Sequence, residues 1–224
     1  MNTHLQLRDR VADEIRRMIA EGRLRGGEWI RQEPLAKQLG TSFTPIREAL
    51  KQLEAEGLVE HVPYRGVRVV EFTLEDLLDI YTMRSVLEGL AAATAAATIT
   101  PEQLGELRQL HERMCHLHGM NTLSEVRQLN QRFHLAIVEA SQRKYLIRTL
   151  RAIWTWFPNM LWSQYLPQQS DPPEREREDN LDHALILAAL EAHDAEGAQR
   201  ALQHHINRSR QTLISYLGMR EEVK

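Results

Sequence analysis

The chain has 224 residues, of which 42% are hydrophobic and 26% are charged, enough apolar residues for one small and one larger domain. Its single cysteine, Cys115, excludes an intrachain disulfide. The first ten residues are polar and lack the apolar core of a signal peptide, and the low-charge stretch 89–99 is too short to span a bilayer. We therefore expect a cytoplasmic protein.

Residues Gln32 to Lys51 are predicted to form two short helices joined by a tight turn. Apolar residues recur at helical spacing in both, as Leu35, Ala36 and Leu39 in the first helix and Ile46, Ala49, Leu50 and Leu53 in the second. Gly40 can adopt the positive φ that ends a helix, and Thr44 is predicted to cap the second helix with Pro45 at its first position. This pattern is typical of a helix-turn-helix, although an ordinary helical hairpin is the alternative.

A β-hairpin is predicted to follow the second helix. Residues 58–61 and 67–70 have the composition of short strands, and residues 62–66 have that of a turn. Arg65 at the tip could enter a narrow DNA groove, where the negative potential is strongest. An arginine in a hairpin is often only solvated, so Arg65 is informative because it follows a helix-turn-helix.

The first third of the chain resembles the winged-helix domain of the GntR transcription regulators. The shared residues are Leu35–Gly40, Ser42, Thr44–Leu50, Leu53–Val59 and Arg65–Gly66. The resemblance implies contacts to double-stranded operator DNA from Ser42, Phe43, Thr44, Arg47, Lys51, Arg65 and Gly66. Phe43 stands where the family frequently has Arg, and Glu33 where some members have Arg, so Arg47 and Arg65 are the favoured groove contacts. Phe43 is expected to touch a thymine methyl or simply to pack.

The charge is divided unevenly along the chain. Through Phe72 there are 12 Lys+Arg and 11 Asp+Glu, and the remainder has 16 and 20, so the two parts carry +1 and −4. A net charge of +1 cannot supply strong phosphate affinity by itself. We therefore expect two copies of the domain to act together, as a homodimer on a pseudo-palindromic operator.

The rest of the chain is predicted to be a bundle of six or seven helices, so the fold class is mainly α, with a DNA-binding domain at 1–72 and an all-α effector-binding and dimerisation domain at 73–224. Predicted helix starts are Thr73, Thr100–Pro101, Asn121 or Thr122, Lys144, Pro172–Pro173 and Asp194. Predicted ends lie near Thr98, Gly119, Ser141–Arg143, Leu166, Ala192 and Gly218, with a kink or break at Pro158. The Ala-rich run 91–97 permits close helix packing.

Four side chains of this predicted bundle could converge. Asn130 and His134 lie four residues apart, so both leave the same face of one helix. His183 and His205 are in phase with the apolar residues of their own helices, whereas His204 belongs to a polar face. Three imidazoles and an amide oxygen would suit zinc, nickel or a related ion. From spacing alone, hydrogen-bonded core histidines are an equal alternative.

Residues 130–134, 182–189 and 205–206 resemble the metal-binding pattern of the FCD effector domain, which defines the FadR branch of the GntR regulators. The similarity spans residues 75–217. It implies that Asn130, His134, His183 and His205 hold one divalent ion, Zn or Ni. The first ligand in the family is often Asp, so Asn130 removes one negative charge.

The segment from Tyr81 to Glu88 resembles the ligand-facing helix of FCD domains. The resemblance implies that Arg84 and Glu88 face a small organic-acid effector, whose carboxylate a guanidinium and a metal could bind together. An i,i+4 ion pair within the helix is an equal alternative. Trp154, Trp156, Phe157 and Trp162 are expected to be mostly core, with one or two lining the pocket.

Three other interpretations are weaker. His111, Cys115 and His118 lie on one helix and could cover only one side of an ion, so we expect packing and surface roles for them. A zinc-dependent hydrolase is improbable because the sequence has no HExxH, nucleophile elbow or phosphate loop. A metal-free acyl-CoA or other apolar-ligand sensor of the same family would not need three histidines in phase.

Overall fold

A computed structural model describes residues 3–117, 123–156 and 173–221 of the protein. The chain divides into two compact units, one containing the residues up to Thr73 and the other beginning at Leu74. Within the described residues, no helix has the length and apolar character needed to cross a membrane.

The N-terminal unit combines helices with a small antiparallel sheet. Its elements are α1 (Thr3–Ala20), β1 (Trp29–Ile30), α2 (Gln32–Gln38), α3 (Phe43–Ala55), β2 (Val59–Val62) and β3 (Gly66–Val69). Helix α1 packs along α3, where Ile15 and Ile46 are fully buried. Arg16 on α1 also donates to both carboxylate oxygens of Glu56, at 2.8 and 2.6 Å. The sequence patterns did not predict α1 or β1.

The predicted turn between α2 and α3 is confirmed. Gly40 has a φ of +62°, and the Thr41 N–H donates to the Ala36 carbonyl at 3.0 Å, which satisfies a backbone acceptor at the end of α2. The predicted cap of α3 was wrong. The N-cap position is Ser42, and α3 begins at Phe43, so Thr44 already lies inside the helix. Pro45 occupies the third helical position, where its missing N–H still leaves no helical bond unmade.

The predicted hairpin is also confirmed, with each strand displaced by one residue. Strand β3 lies between β1 and β2 and is antiparallel to both, with Val62 paired to Gly66 at the tip. The Arg65 N–H donates to the Val62 carbonyl at 3.0 Å and closes the turn. Tyr64 within this turn has a φ of +63°, a conformation that bulky residues rarely adopt.

The C-terminal unit is helical throughout its described part, as predicted. Its elements are α4 (Leu74–Thr98), α5 (Pro101–His116), α6 (Leu123–Ala140), α7 (Lys144–Trp156), α8 (Pro173–Glu191) and α9 (Ala195–Glu221). Helix α4 packs against α6, α8 and α9, and α5 packs against α6 and α8.

Capping residues explain why the helices of this unit start where predicted. Thr100 and Gln103 form a reciprocal capping box at the start of α5, and the Asp194 carboxylate accepts from the Gly197 N–H at 2.9 Å at the start of α9. Helix α5 ends at His116, earlier than expected. The predicted starts at Asn121 or Thr122 and the predicted break at Pro158 lie outside the described residues.

Small residues let α4 lie close to its neighbours. Ala91, Ala92, Ala95 and Ala96 are completely buried, which confirms the predicted close packing of this run. A Cβ added to Gly89 would lie 2.7 Å from Cγ of Gln203 on α9. A side chain at position 89 would therefore require the Gln203 side chain to move.

Candidate functional site

The residues predicted to contact DNA lie on the surface of the N-terminal unit. Ser42, Phe43, Thr44, Arg47, Lys51 and Arg65 are exposed, and Gly66 is half-buried. Phe43 is 52% exposed, so its ring does not belong to the core. Lys51 forms an ion pair with Glu48 at 3.0 Å. The start of α3 and the tip of the β2–β3 hairpin, which we call the wing, thus expose polar and aromatic side chains to solvent.

The three predicted histidines converge in the C-terminal unit. His134 on α6, His183 on α8 and His205 on α9 are 0%, 2% and 4% exposed, which confirms their inward orientation, and His204 is exposed. Each ring has a nitrogen within 4.8 Å of a nitrogen from the other two. Asn130 is half-buried and lies one turn before His134 on α6. Three helices therefore bring imidazoles to a single buried point.

Several nitrogens at this point have no hydrogen-bond partner within the described part of the chain. They are Nε2 of His134 and both ring nitrogens of His183. A buried polar atom left unpaired costs about 1–3 kcal/mol, so such a cluster calls for an external partner. Neutral imidazole lone pairs that face one another are the donors that zinc and nickel prefer. The residues present therefore fit a divalent transition-metal ion.

Two of the histidines are held from behind by carboxylates. Nδ1 of His134 lies 2.6 Å from Oε2 of Glu88, with both side chains fully buried. Nδ1 of His205 lies 3.3 Å from Oδ2 of Asp182, and the same oxygen forms an ion pair with Nη2 of Arg208 at 2.9 Å. A carboxylate behind a ligating histidine is the usual outer partner in metal sites because it fixes the tautomer and ring orientation.

Arg84 and Glu88 form the intrahelical ion pair that was one of the two predicted alternatives. Arg84 Nε donates to Glu88 Oε1 at 2.7 Å, and the side chains are only 7% and 0% exposed. Trp154 Nε1 donates to the same oxygen at 3.1 Å, and the Arg84 guanidinium lies 3.9 Å from the centre of the Trp154 ring. Glu88 therefore has partners on α4, α6 and α7.

Burial and charge set the protonation states in this cluster. Burial alone would raise the pKa of Glu88, but the positive charge of Arg84 and hydrogen bonds from His134 and Arg84 lower it to about 2. Burial lowers the pKa of His134 to about 4, although the Glu88 carboxylate acts against this. Burial, together with the neighbouring His205 and His134, holds the pKa of His183 well below its ordinary value. At neutral pH, His134 and His183 are neutral and Glu88 is ionised.

The sequence patterns missed two partners, Trp154 and Asp182. Trp154 was predicted to be mostly core and is buried, but its hydrogen bond to Glu88 joins residues 66 positions apart, which no local pattern predicts. Asp182 lies in the segment 182–189 that resembles the metal-binding pattern, but the resemblance predicts no role for its carboxylate. The side chain of Trp156, together with Phe157 and Trp162, lies outside the described residues.

The alternative group of possible metal ligands on α5, His111 and Cys115, has other contacts. Nε2 of His111 lies 3.0 Å from the Asn180 carbonyl and 3.4 Å from Cys115 Sγ. Burial raises the pKa of the Cys115 thiol, with a smaller contribution from Glu112. These contacts agree with the packing role expected of the two residues, and His118 lies outside the described ranges.

The N-terminal unit is a winged helix-turn-helix, and the C-terminal unit is helical with a buried polar centre. This combination in one chain is typical of a class of protein, the bacterial transcription regulators. The family described as bacterial regulatory proteins, gntR family, matches residues 7–69, and the FCD domain matches residues 79–208. The chain belongs to the gntR family and carries a C-terminal FCD domain.

Proteins similar over most of their length support this assignment. The Escherichia coli regulator McbR is 32% identical over 199 residues, which cover 89% of each chain. A probable repressor of D-xylose utilisation from Paenarthrobacter nicotinovorans is 33% identical, over 91% of this chain and 87% of its own. The solved structure of E. coli McbR/YncC has a TM-score of 0.72 at 26% identity and covers 93% of this chain and 97% of that one. The chain is therefore a transcriptional regulator and not an enzyme.

Proposed function

We propose that the protein binds a pseudo-palindromic operator as a homodimer and that its C-terminal helices hold a divalent metal and a small carboxylate effector. The effector would change the affinity for the operator. The boundary between the DNA-binding and effector-binding domains would fall at Phe72–Thr73. The observation that supports the metal most directly is the buried cluster of three imidazoles, three of whose nitrogens have no partner within the described residues.

His134, His183 and His205, with the amide oxygen of Asn130, would hold the ion, and zinc or nickel fits these donors best. When bound, the ion supplies positive charge and one or two open positions for a carboxylate. Because all four ligands are neutral, the negative charge nearest to the ion comes from Glu88 and Asp182 behind the rings.

Arg84 supports a carboxylate as the effector. It is nearly buried, it lies one turn from Glu88, and Glu88 in turn contacts His134. A cation at this position favours an anionic ligand over a neutral one, and a guanidinium can bind a carboxylate in a bidentate manner.

Recognition of the operator is tested by changing Arg47 to Ala. Loss of one base or phosphate contact at the start of α3 should weaken binding by about 1–3 kcal/mol, since Arg47 is exposed and its removal does not disturb the core. The measurement is fluorescence anisotropy at fixed salt, with a duplex that the wild-type protein selects from a random pool. Arg148→Ala, an exposed arginine on α7, is the control.

If Arg47→Ala bound the selected duplex as tightly as Arg148→Ala, Arg47 would not be an operator contact. Footprinting of the same duplex tests the homodimer, because two-fold binding protects two half-sites. Protection of a single asymmetric half-site would contradict it.

The metal is tested by the neighbouring pair His205→Ala and His204→Ala. His205 is buried in the cluster and His204 is exposed on the next position of α9. After chelation and reconstitution with zinc, elemental analysis should find stoichiometric metal in the wild type and in His204→Ala but none in His205→Ala. Stoichiometric metal in both variants would show that the four proposed ligands are wrongly assigned, and a wild type without metal would favour the metal-free sensor.

A further inference from the structure

The two carboxylate oxygens of Glu88 serve different neighbours. Oε2 faces Nδ1 of His134, and Oε1 accepts from Nε of Arg84 and Nε1 of Trp154. We propose that Glu88 is the positioning residue that sets the tautomer of His134 and transmits metal binding to Arg84 and Trp154. This inference rests on the metal site and the effector site of the proposed function.

The tautomer follows from the inventory of donors and acceptors. Glu88 is buried against Arg84, so its carboxylate is ionised and can only accept. Nδ1 of His134, 2.6 Å from Oε2, must therefore carry the single proton of the neutral ring. Nε2 is left with its lone pair, and it is this atom that is buried without a partner in the described part of the protein. Glu88 thus keeps His134 ready to accept a cation.

The link to Arg84 follows from the other oxygen. A cation on Nε2 withdraws electron density from the imidazole and makes the Nδ1–H a stronger donor to Oε2. As negative charge on the Glu88 carboxylate shifts towards Oε2, Oε1 becomes a weaker acceptor. Oε1 is the atom that accepts the hydrogen bonds from Arg84 and Trp154. Since the Arg84 guanidinium also lies against the Trp154 ring, at 3.9 Å, the two side chains respond together. Metal binding therefore alters the group that would bind the effector.

Substituting Gln for Glu88 would reverse the tautomer. Gln has one acceptor oxygen, and the two donors Arg84 Nε and Trp154 Nε1 require it on their side. The amide NH₂ then faces His134, whose Nδ1 must accept, so the proton moves to Nε2 and blocks the cation. Glu88→Gln should thus bind the metal more weakly although it preserves size and shape.

Asp182→Asn is the matched control. It also removes one negative charge behind a histidine, but both contacts of Asp182, to His205 and to Arg208, use the single oxygen Oδ2. The amide oxygen of Asn can take that place, so His205 keeps its tautomer. If the carboxylates acted only through their charge, the two variants would lose zinc affinity equally.

Zinc affinity is measured by competition with a chromogenic chelator on the full chain. We expect Glu88→Gln to bind zinc about 10- to 100-fold more weakly than the wild type, which is the usual effect of removing an outer partner of a metal ligand, and Asp182→Asn to change less than about tenfold. ¹⁵N NMR of the metal-free proteins should show His134 protonated at Nδ1 in the wild type and at Nε2 in Glu88→Gln. The Trp154 ring also lies 5.2 Å from the His134 ring, so some shift of its indole resonance on zinc addition is direct. The part relayed by Glu88 is the difference, so the resonance, assigned with Trp154→Phe, should shift further in the wild type than in zinc-saturated Glu88→Gln.

Three results would overturn the inference while leaving the metal site intact. They are equal losses in Glu88→Gln and Asp182→Asn, an Nε2-protonated His134 in the wild type, and a Trp154 shift of equal size in the wild type and in zinc-saturated Glu88→Gln. The wild-type NMR spectrum decides the tautomer even if Glu88→Gln does not fold. A wild-type protein that binds no zinc would instead refute the metal part of the proposed function, and the inference with it.

Discussion

The two units place their candidate functional groups in opposite environments. In the N-terminal unit, Arg47 and Arg65 are exposed and are not part of the hydrophobic core. In the C-terminal unit, His134 and Glu88 are completely buried and each is part of a hydrogen-bond network. A surface that reads DNA has to meet a large, charged partner, whereas a centre that binds an ion or small acid has to exclude water.

This difference has an energetic consequence. Removing an exposed arginine such as Arg47 should leave the fold intact. Burying a polar network costs free energy through desolvation and through polar atoms that lack a hydrogen-bond partner. Substitutions in such a network therefore alter stability as well as function.

The stability of the metal-free protein should fall steeply below pH 6.5. The pKa of His134 is lowered from 6.5 to about 4 in the folded state, so the unfolded chain takes up a proton first as the pH falls. This loss of stability is absent above pH 6.5 and grows as the pH falls from 6.5 to 4. At 1.36 kcal/mol for each pH unit, it amounts to roughly 3 kcal/mol. The lowered pKa of His183 adds to this loss of stability at low pH. Urea denaturation at a series of pH values, with a chelator present, measures it.

Two substitutions locate this pH dependence. His134→Gln should flatten the stability curve between pH 6.5 and 4, because the titrating ring is gone. His204→Gln, at an exposed position, should leave the curve unchanged. A curve that keeps its full slope in His134→Gln would show that His134 is not a source of the pH dependence, and the energetic contrast between the units would lose its main support.

Gly89→Ala should destabilise the C-terminal unit by about 1–3 kcal/mol, the usual cost of overpacking a core. The new Cβ would lie 2.7 Å from Cγ of Gln203 and 2.9 Å from its Nε2, so this side chain would have to leave its position between α4 and α9. Gly105→Ala on α5 is the control, since its Cβ would meet nothing within 4 Å. It should stabilise by about 0.5–1 kcal/mol through helix propensity alone. Thermal denaturation of the two variants gives the comparison, and a stabilised Gly89→Ala would contradict close packing here.

Local patterns predicted most of the fold because its elements have local signals. The buried face of α3 follows from apolar spacing, and the starts of α5 and α9 follow from capping residues at Thr100 and Asp194. Strand β1 has only two residues and exists through its pairing with β3, so nothing in its own sequence marks it. The sequence predicts Thr44 as the cap with Pro45 at the first helical position, but α3 starts two residues before Pro45.

The candidate site could be predicted only in part, for the same reason. Helical phase correctly placed His183 and His205 inward, since phase is a property of a single helix. The bond between Glu88 and His134 joins residues 46 positions apart on different helices, and it depends on how α4 and α6 pack. Sequence spacing therefore indicated possible ligands but not the carboxylates behind them.

The smallest expected effect concerns the tip of the wing. Tyr64 has a φ of +63°, and its side chain is fully exposed at 107% relative accessibility, so the left-handed backbone is not offset by packing of the ring. Left-handed backbone costs an ordinary residue about 1–2 kcal/mol, whereas Asn adopts it readily. Tyr64→Asn should therefore stabilise the protein by about 0.5–1 kcal/mol in urea denaturation. Tyr145→Asn, another exposed tyrosine, lies in helix α7 and should give no gain.

If Tyr64→Asn gave no more stability than Tyr145→Asn, the turn would not be strained. If it gained stability and also bound the selected duplex more weakly, the wing would hold an unfavourable conformation for the sake of DNA contact. In that case the N-terminal unit, like the buried network of the C-terminal unit, would sacrifice stability for function, through backbone strain at one exposed residue instead of through burial.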